Sequence, residues 1–156
     1  TGYLSRSWFH GFMVDPLSHK YFGGLEAGAG LEWDMPNASR MKLDDEELKM
    51  LTEMLISETG LDYDAPVDSD RVEQGRKIFL DSMCSACHSL EANVAEDGPS
   101  IGGYGSTNWL KAFLQDPGAE HFFGGRNTMP AVSDLSADEM NYLLAYLQSL
   151  RDISRQ

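Results

Sequence analysis

The stretch Cys84-Ser85-Ala86-Cys87-His88 decides how the rest of this sequence is interpreted. It contains both cysteines of the chain, and a histidine directly follows the second one. A C-x-x-C pair is typical of a redox disulfide, of half a metal site or of a haem attachment site. A thioredoxin-like disulfide needs a βαβ context that the sequence does not predict. A tetrahedral zinc site needs two more ligands, and the sequence has no second C-x-x-C and no H-x₃₋₅-H pair.

The histidine after the second cysteine favours haem attachment. Two cysteines with this spacing at the end of a helix can each form a thioether to one vinyl group of a haem. The imidazole of His88 then lies under the iron and becomes its proximal ligand. Because the chain has one such motif, the sequence predicts one haem c per chain, bound by Cys84, Cys87 and His88.

Three residues after the motif are candidates for the sixth iron ligand. Met140 lies on the apolar side of a predicted helix, where core packing is the expected role. His121 stands beside two phenylalanines and is expected to be a surface or loop residue rather than a ligand. Met129 lies in a glycine-containing loop before the last predicted helix, and Pro130 would stiffen that loop. A thioether is a soft, neutral ligand that raises the reduction potential, and the sequence predicts Met129 for this position.

The composition is that of a folded protein with a strongly acidic surface. The chain has 156 residues, of which 42% are hydrophobic and 24% charged, and its net charge is −13. No stretch approaches the roughly 18 apolar residues of a membrane span. The negative charge argues against binding to nucleic acid or to anionic membranes. It leaves open whether the acidic surface is simply solvated or is a docking face for a basic partner.

Helical patterns account for the second half of the chain, and no segment shows the alternation of a strand. The expected fold class is therefore all-α. The predicted helices are one from Arg71 to about Met83 capped by Asp70, one from Thr107 or Asn108 that ends at Asp116-Pro117, and one that begins at a capping box of Ser136 and Glu139.

The first part of the chain repeats the second at an offset of 101 residues. The matching pairs are Gly2-Tyr3 with Gly103-Tyr104, Trp8 with Trp109, Phe12 with Phe113, Asp15-Pro16 with Asp116-Pro117, and Tyr21-Phe22-Gly23-Gly24 with Phe122-Phe123-Gly124-Gly125. Farther along, Met35-Pro36 corresponds to Met129-Pro130, with seven extra residues in the first part of the chain. Asp44 and Glu47 correspond to Ser136 and Glu139. Internal duplication explains this register better than coincidence does.

The first copy has no cysteine motif, so the duplication is incomplete. The predicted division is a partial repeat over 1–60, a linker over 61–69 and a monohaem domain over 70–156. The offset would place the missing cysteine pair before Thr1, with Met35 as sixth ligand of an upstream haem. We expect a chain excised from a longer dihaem protein; the alternative is a haemless half-domain kept for packing or docking.

Residues from about Asp70 to Arg151 resemble a class I cytochrome c domain, preceded by a partial repeat as in multi-domain cytochrome c subunits. The resemblance rests on Gly75, Phe79, the motif at 84–88, Gly98-Pro99, Met129-Pro130 and the aromatic-bearing last helix. It implies that the first and last helices cross, with Gly75 against Tyr142 or Tyr146. It also implies that the Pro99 carbonyl accepts the proton of His88. Trp109 would contact a haem propionate or serve as a core aromatic, and both roles stay open.

By this resemblance the expected function is single-electron transfer through a low-spin haem with His/Met ligation, in a respiratory or related redox chain. No catalytic residue is predicted; the competing hypothesis is a peroxidase-like or gas-binding haem with an open sixth position. The expected partners are redox proteins, such as a membrane quinol–cytochrome complex or an oxidase. The N-terminal half-domain would assist association. The expected location is the periplasm or the outer face of a bacterial membrane.

Overall fold

The computed structural model describes residues 2–21, 35–63, 65–94, 96–122, 127 and 129–152. These residues form helices joined by turns and loops and contain no strand, which confirms the all-α fold class. None of the described helices combines the length and apolar character needed to cross a bilayer. The helices are α1 (Arg6–Val14), α2 (Ala38–Met41), α3 (Asp45–Glu58), α4 (Ser69–Asp81), α5 (Thr107–Gln115) and α6 (Ala137–Asp152), with a 3₁₀ turn at Met83–Ala86 between α4 and α5.

Helix α4 begins two residues earlier than the sequence predicts, because Asp68 rather than Asp70 is its cap. The Asp68 carboxylate accepts hydrogen bonds from the backbone N–H groups of Asp70 and Arg71, each at 3.1 Å. The first aspartate that can reach the free N–H groups of the first turn therefore sets the start. The helix also ends earlier, at Asp81, because Ser82 is extended.

The other predicted helix ends are confirmed. Helix α6 begins at a capping box in which Ser136 N–H donates to the Glu139 carboxylate at 2.8 Å and Glu139 N–H donates to the Ser136 hydroxyl at 3.3 Å. Asp44 and Glu47 form the same box at the start of α3. Each box pairs two N–H groups that the helix itself leaves unbonded. Helix α5 begins at Thr107 and ends directly before Asp116-Pro117.

The main core lies where α1, α2 and α3 meet α4. Gly75 makes the close approach of α3 and α4 possible, since a Cβ atom there would collide with the backbone carbonyl of Met50 and lie 2.9 Å from the Cβ of Met54. Apolar side chains from all four helices fill this core: Met13, Ala38, Leu48, Leu51, Met54 and Phe79. Residues of both predicted parts of the chain thus share one core, while the predicted domain boundaries stay a prediction.

The expected contact of Gly75 with Tyr142 or Tyr146 is wrong. Gly75 packs on Met50 and Met54 of α3, while Tyr142 and Tyr146 of α6 remain 75% and 59% exposed. The helix that passes close to Gly75 is α3, whose Met50 backbone occupies the space that the glycine leaves free.

A separate, smaller core joins α5 and α6. It contains the buried side chains of Leu114, Met140 and Leu144, with Val132 packed against them. Met140 thus has the core role predicted from its helical position. The Leu114 carbonyl also accepts a hydrogen bond from the backbone N–H of Val132 at 2.7 Å. This bond joins the segment before α6 to the end of α5.

Aromatic side chains around α1 and α5 adopt the same arrangement. The Trp8 and Phe12 rings stack at 5.2 Å, and the Trp109 and Phe113 rings stack at 5.1 Å. At each helix a third ring lies edge-on to both members of the stack: Tyr21 near α1 and Phe122 near α5. The rest of the repeated F-G-G segments, at 22–24 and 123–125, lies outside the described residues.

The turns that precede α1 and α5 contact each other directly. Tyr3 Oη donates to Tyr104 Oη at 3.3 Å, so two tyrosines 101 positions apart contact each other. The next residues, Leu4 and Gly105, both have left-handed backbone, with φ of 62° and 76°. A Cβ atom at Gly105 would collide with the Leu4 side chain, which is fully buried against it. The contact therefore requires glycine on one side.

A buried carboxylate ties α3 to α1 and to the start of α4. Glu53 accepts two hydrogen bonds from the Arg6 guanidinium, at 2.5 and 3.0 Å, and one from the backbone N–H of Asp68 at 3.2 Å. The charged hydrogen bonds from Arg6 lower the pKa of Glu53 despite its burial. Arg76 of α4 also forms an ion pair with Glu58 of α3.

Candidate haem site

The cysteine motif occupies a tight turn that directly follows α4. Ser82 interrupts the helix, and its hydroxyl accepts the backbone N–H of Cys84 at 3.4 Å. The Cys84 carbonyl then accepts the N–H groups of Cys87 at 3.2 Å and of His88 at 2.9 Å. Because both bonds converge on one carbonyl, the two cysteines and the histidine are held on a single compact turn.

Both cysteines are free thiols and half-buried. Burial raises the pKa of the Cys84 thiol, and a hydrogen bond from the Ser82 hydroxyl to Sγ at 3.1 Å opposes this effect in part. The Cys84 side chain also packs against the core formed by α1–α4. The site therefore presents two sulfur atoms that are not joined in a disulfide, and the one of Cys84 lies against apolar surroundings.

The His88 imidazole is oriented by the loop that follows. Its Nδ1 lies 2.8 Å from the carbonyl oxygen of Pro99, the contact that the resemblance implies. Because a carbonyl can only accept, Nδ1 carries the proton and Nε2 carries the lone pair that can bind a metal. Burial lowers the pKa of His88, which keeps the ring in the neutral form needed for coordination.

Gly98 lets this loop close over the imidazole. A Cβ atom at Gly98 would lie 2.5 Å from Cε1 and 2.7 Å from Nδ1 of His88. The Gly98 N–H also donates to the Cys87 carbonyl at 2.7 Å. A side chain at this position would push the ring off the Pro99 carbonyl, so glycine is required for the observed orientation.

The loop after the motif makes contact with the end of α3 and with the segment that follows α5. Gly103 N–H donates to the Glu58 carbonyl at the end of α3, at 2.9 Å. Ser100 N–H donates to the His121 carbonyl at 3.0 Å, on the side of α5. The His121 ring itself lies against Phe122, with centroids 4.2 Å apart. The loop that follows the motif therefore links α3 to the segment that follows α5.

Met129 belongs to the α5–α6 part of the molecule. Its N–H donates to the Asn127 side chain at 2.9 Å, and the Asn127 amide donates to the Pro117 carbonyl at 3.0 Å. The Met129 side chain is 39% exposed. Cys84, in contrast, packs against the α1–α4 core. Ligation of the iron by Met129 stays a prediction.

Sequence reasoning missed that the helix which directly follows Met35-Pro36 contributes Ala38 to the core against which the motif packs. Asn37 directly follows Pro36 and caps α2 by accepting the Arg40 N–H at 2.9 Å. The next residue, Ala38, is buried in the core that Cys84 also contacts. The available signal was the match of Met35-Pro36 to Met129-Pro130, which by itself says nothing about the partner of each segment.

The residues of the site fit a covalently bound haem. Two free thiols and the Nε2 atom of His88 supply the attachment points and the proximal ligand. Within the described part of the chain, Trp109 Nε1 is the one buried side-chain polar atom without a hydrogen-bond partner. A carboxylate such as a haem propionate would satisfy it, since an unpaired buried N–H is costly.

Comparisons with known proteins agree with this site. A sequence profile of the Cytochrome c family matches residues 72–151, just over half of the chain. Cytochrome c oxidase subunit 2 of Alkalihalophilus pseudofirmus (strain ATCC BAA-2126 / JCM 17055 / OF4) is 29% identical over an alignment of 168 positions, gaps included. The alignment covers 91% of this chain and 48% of that protein. Cytochrome c oxidase subunit 2 of Bacillus subtilis (strain 168) is 27% identical over 109 residues, which cover 60% and 30%.

The chain thus spans about half or less of the length of these curated relatives. No solved structure matches it significantly.

Proposed function

Because the chain belongs to the cytochrome c family, we propose that it carries single electrons through one covalently bound, low-spin haem c with His/Met ligation. The observation that carries the proposal is the His88–Pro99 contact, which leaves Nε2 of His88 to bind iron. A methionine thioether would be the sixth ligand, and the sequence predicts Met129 for it. A haem held by His88 and this thioether would supply one-electron chemistry without an open position for a reactant.

The chain itself holds and insulates this group. Cys84 and Cys87 anchor it, and Pro99 keeps the proton of His88 at Nδ1. Leu90 and Ile101 follow the motif and pack with Cys84 against the α1–α4 core. Such apolar packing limits the access of water and helps to keep the reduction potential high.

The comparisons support a place in a respiratory chain. Both relatives named above are subunits of cytochrome c oxidase, so redox proteins of a respiratory complex, an oxidase or a quinol–cytochrome complex, are the proposed partners. The proposed location is the periplasm or the outer face of a bacterial membrane, where the resemblance to c-type cytochromes implies that haem is attached. Residues 1–60 would contribute to association with the partner.

Duplication of a cytochrome c unit is the proposed origin of residues 1–60. The stacked Trp8–Phe12 and Trp109–Phe113 pairs, with matching distances, support it. The equivalent capping boxes at the starts of α3 and α6 support it as well.

A potentiometric titration of the purified holoprotein tests the proposed function. We expect one haem per chain, a reversible one-electron transition and a low-spin spectrum in both oxidation states. Reduced protein should not bind carbon monoxide rapidly, since both axial positions are filled. Rapid binding of carbon monoxide to the untreated protein would instead indicate an open sixth position and a peroxidase-like or gas-binding role.

Electron exchange with a basic redox protein should slow as salt is added. The net charge of −13 attracts a basic partner over a distance set by the ionic strength, with a screening length of about 10 Å at 0.1 M salt. Stopped-flow rates should therefore fall by about tenfold or more between low and high salt. A neutral small reductant is the control and should show little change. Equal rates with the basic protein at both salt concentrations would contradict the prediction.

A further inference from the structure

The turn that carries the cysteines also exposes apolar side chains. Leu80, in the last turn of α4, and Met83, directly before Cys84, are each 56% exposed. The Ser85 hydroxyl donates a hydrogen bond to the Leu80 carbonyl at 3.0 Å, so the end of α4 lies against the motif turn. Ser85 and Ala86, which stand between the two cysteines, are exposed as well. The surface of this turn therefore combines apolar side chains with the attachment point of the proposed haem.

These two apolar side chains take no part in the cores beside them. Phe79, which precedes Leu80, is buried in the α1–α4 core, and Cys84, which follows Met83, packs against that core. Leu80 and Met83 themselves belong to none of the apolar clusters that the described residues form. Protein–protein interfaces typically have an apolar centre, enriched in methionine, and a polar rim. This apolar pair, Leu80 and Met83, has the character of such a centre.

The segment around the apolar pair carries charges of one sign. Over residues 78–110 the chain has four carboxylates and neither lysine nor arginine; the four are Asp81, Glu91, Glu96 and Asp97. All four are exposed. None of them forms an ion pair within the part of the chain that the structure describes. The haem motif thus lies in a segment whose negative charge is not neutralised by contacts within the described residues.

Backbone contacts hold this acidic segment against the motif turn. Asp81 ends α4 and directly follows one member of the apolar pair. The Gly98 N–H donates to the Cys87 carbonyl at 2.7 Å, which brings the neighbouring Asp97 to the second cysteine. The Glu91 carbonyl accepts a hydrogen bond within the same loop at 3.0 Å. Carboxylates therefore stand in the segments on both sides of the motif turn.

The basic side chains that come just before this segment have carboxylate partners elsewhere. Lys77 of α4 forms an ion pair with Glu73 at 3.1 Å, and Arg76 forms one with Glu58 of α3. These cations offset carboxylates of the helices rather than those beside the motif. A basic surface on another protein would therefore be attracted to the motif turn.

We propose that the motif turn is the docking surface for a basic redox protein. Apolar side chains of the partner contact Leu80 and Met83, while its lysine or arginine side chains face Asp81 and the acidic loop that contains Glu91. This inference rests on the proposed function, because it locates the partner of the same haem. The charges accelerate encounter, and the apolar contact prolongs the complex. In the complex the reduced partner loses one electron to the ferric iron, and no bond forms or breaks.

Charge variants of the full-length holoprotein test the rim. The measurement is the second-order rate of reduction by a reduced cytochrome c that has an excess of lysine on its surface. Asp81→Asn combined with Glu91→Gln should lower this rate by about threefold or more at low salt. The matched control, Asp116→Asn combined with Asp138→Asn, removes two exposed carboxylates of the α5–α6 part and should lower it clearly less. Equal reductions in both double variants would show that total charge alone steers the partner, and this overturns the proposal.

Apolar variants test the centre at high salt, where the attraction between charges is screened. Leu80→Ser combined with Met83→Ser should lower the rate by about threefold or more, because the contact that prolongs the complex is lost. Leu17→Ser is the control, since Leu17 is 52% exposed at the end of α1 and should leave the rate unchanged. An unchanged rate in the Leu80/Met83 variant overturns the proposal. A larger loss in Tyr142→Ser than in that variant also overturns it, since it assigns docking to α6.

Two further measurements separate docking from damage to the haem site. Every variant should keep one haem per chain, the reduction potential of the parent and its rate of reduction by lumiflavin semiquinone, a small neutral reductant. Failure of this inference is also distinguishable from failure of the proposed function. If only the docking surface is wrong, the unsubstituted protein still shows a reversible one-electron transition. If the function is wrong, that transition itself is absent.

Discussion

Replacing both Cys84 and Cys87 with alanine is expected to abolish covalent haem attachment completely. Each thiol supplies one thioether, and the chain has no other cysteine to take over that bond. The measurement is haem staining after denaturing electrophoresis, together with extraction of haem into acidified solvent. In the double variant no haem should remain with the chain under either condition.

The matched control is Ser85→Ala, between the two cysteines. Its hydroxyl donates to the Leu80 carbonyl at 3.0 Å and the side chain is exposed, so this variant should retain full haem content. Haem that stays bound to the double variant after denaturation would show that another residue forms the covalent bond, and the site described above would be wrong.

Gly75→Ala is expected to destabilise the folded protein by about 3 kcal/mol. The added Cβ would collide with the Met50 carbonyl, which is backbone and cannot rotate away, so α4 must move off α3. Overpacking a tight core contact typically costs about 1–3 kcal/mol, and a clash with backbone lies at the upper end. The measurement is the denaturant midpoint of the holoprotein, with the slope of the transition as a check for two-state behaviour.

Two further variants make this prediction specific. Gly118→Ala is the control, because its Cβ would come no closer than 3.9 Å to Asp116 Oδ1; the free energy of unfolding should change by less than about 0.5 kcal/mol. Tyr142→Ser should be equally mild, since Tyr142 is 75% exposed. If Tyr142→Ser is as destabilising as Gly75→Ala, α4 packs against α6 rather than α3.

Local signals explain which parts of this structure could be predicted. The Ser136–Glu139 capping box, the stop at Asp116-Pro117 and the C-x-x-C-H spacing each depend on residues a few positions apart, and each fixes an element without knowledge of the rest. The His88–Pro99 contact joins residues 11 positions apart, and the resemblance was enough to suggest it. The shift of the α4 cap from Asp70 to Asp68 shows the usual uncertainty of a helix start.

The partner of α4 could not be read from the sequence in this way. Helices α3 and α6 both begin with a capping box and both present apolar residues at helical spacing. Gly75 signals that some helix passes close by, but it does not say which. That choice depends on contacts between distant segments, such as Glu53 with Arg6 and with the Asp68 N–H, which no local pattern reveals.

The contact between Leu4 and Gly105 has a consequence for self-association. Although the two turns occupy equivalent positions, one provides a knob and the other a hole. Two copies of the Leu4 turn would force two leucines into the same space, and two copies of the Gly105 turn would leave it empty. Either mismatch costs packing energy. The surface that joins the two turns within one chain is therefore directional, and it disfavours the like-with-like pairing between chains that two matching turns would otherwise allow.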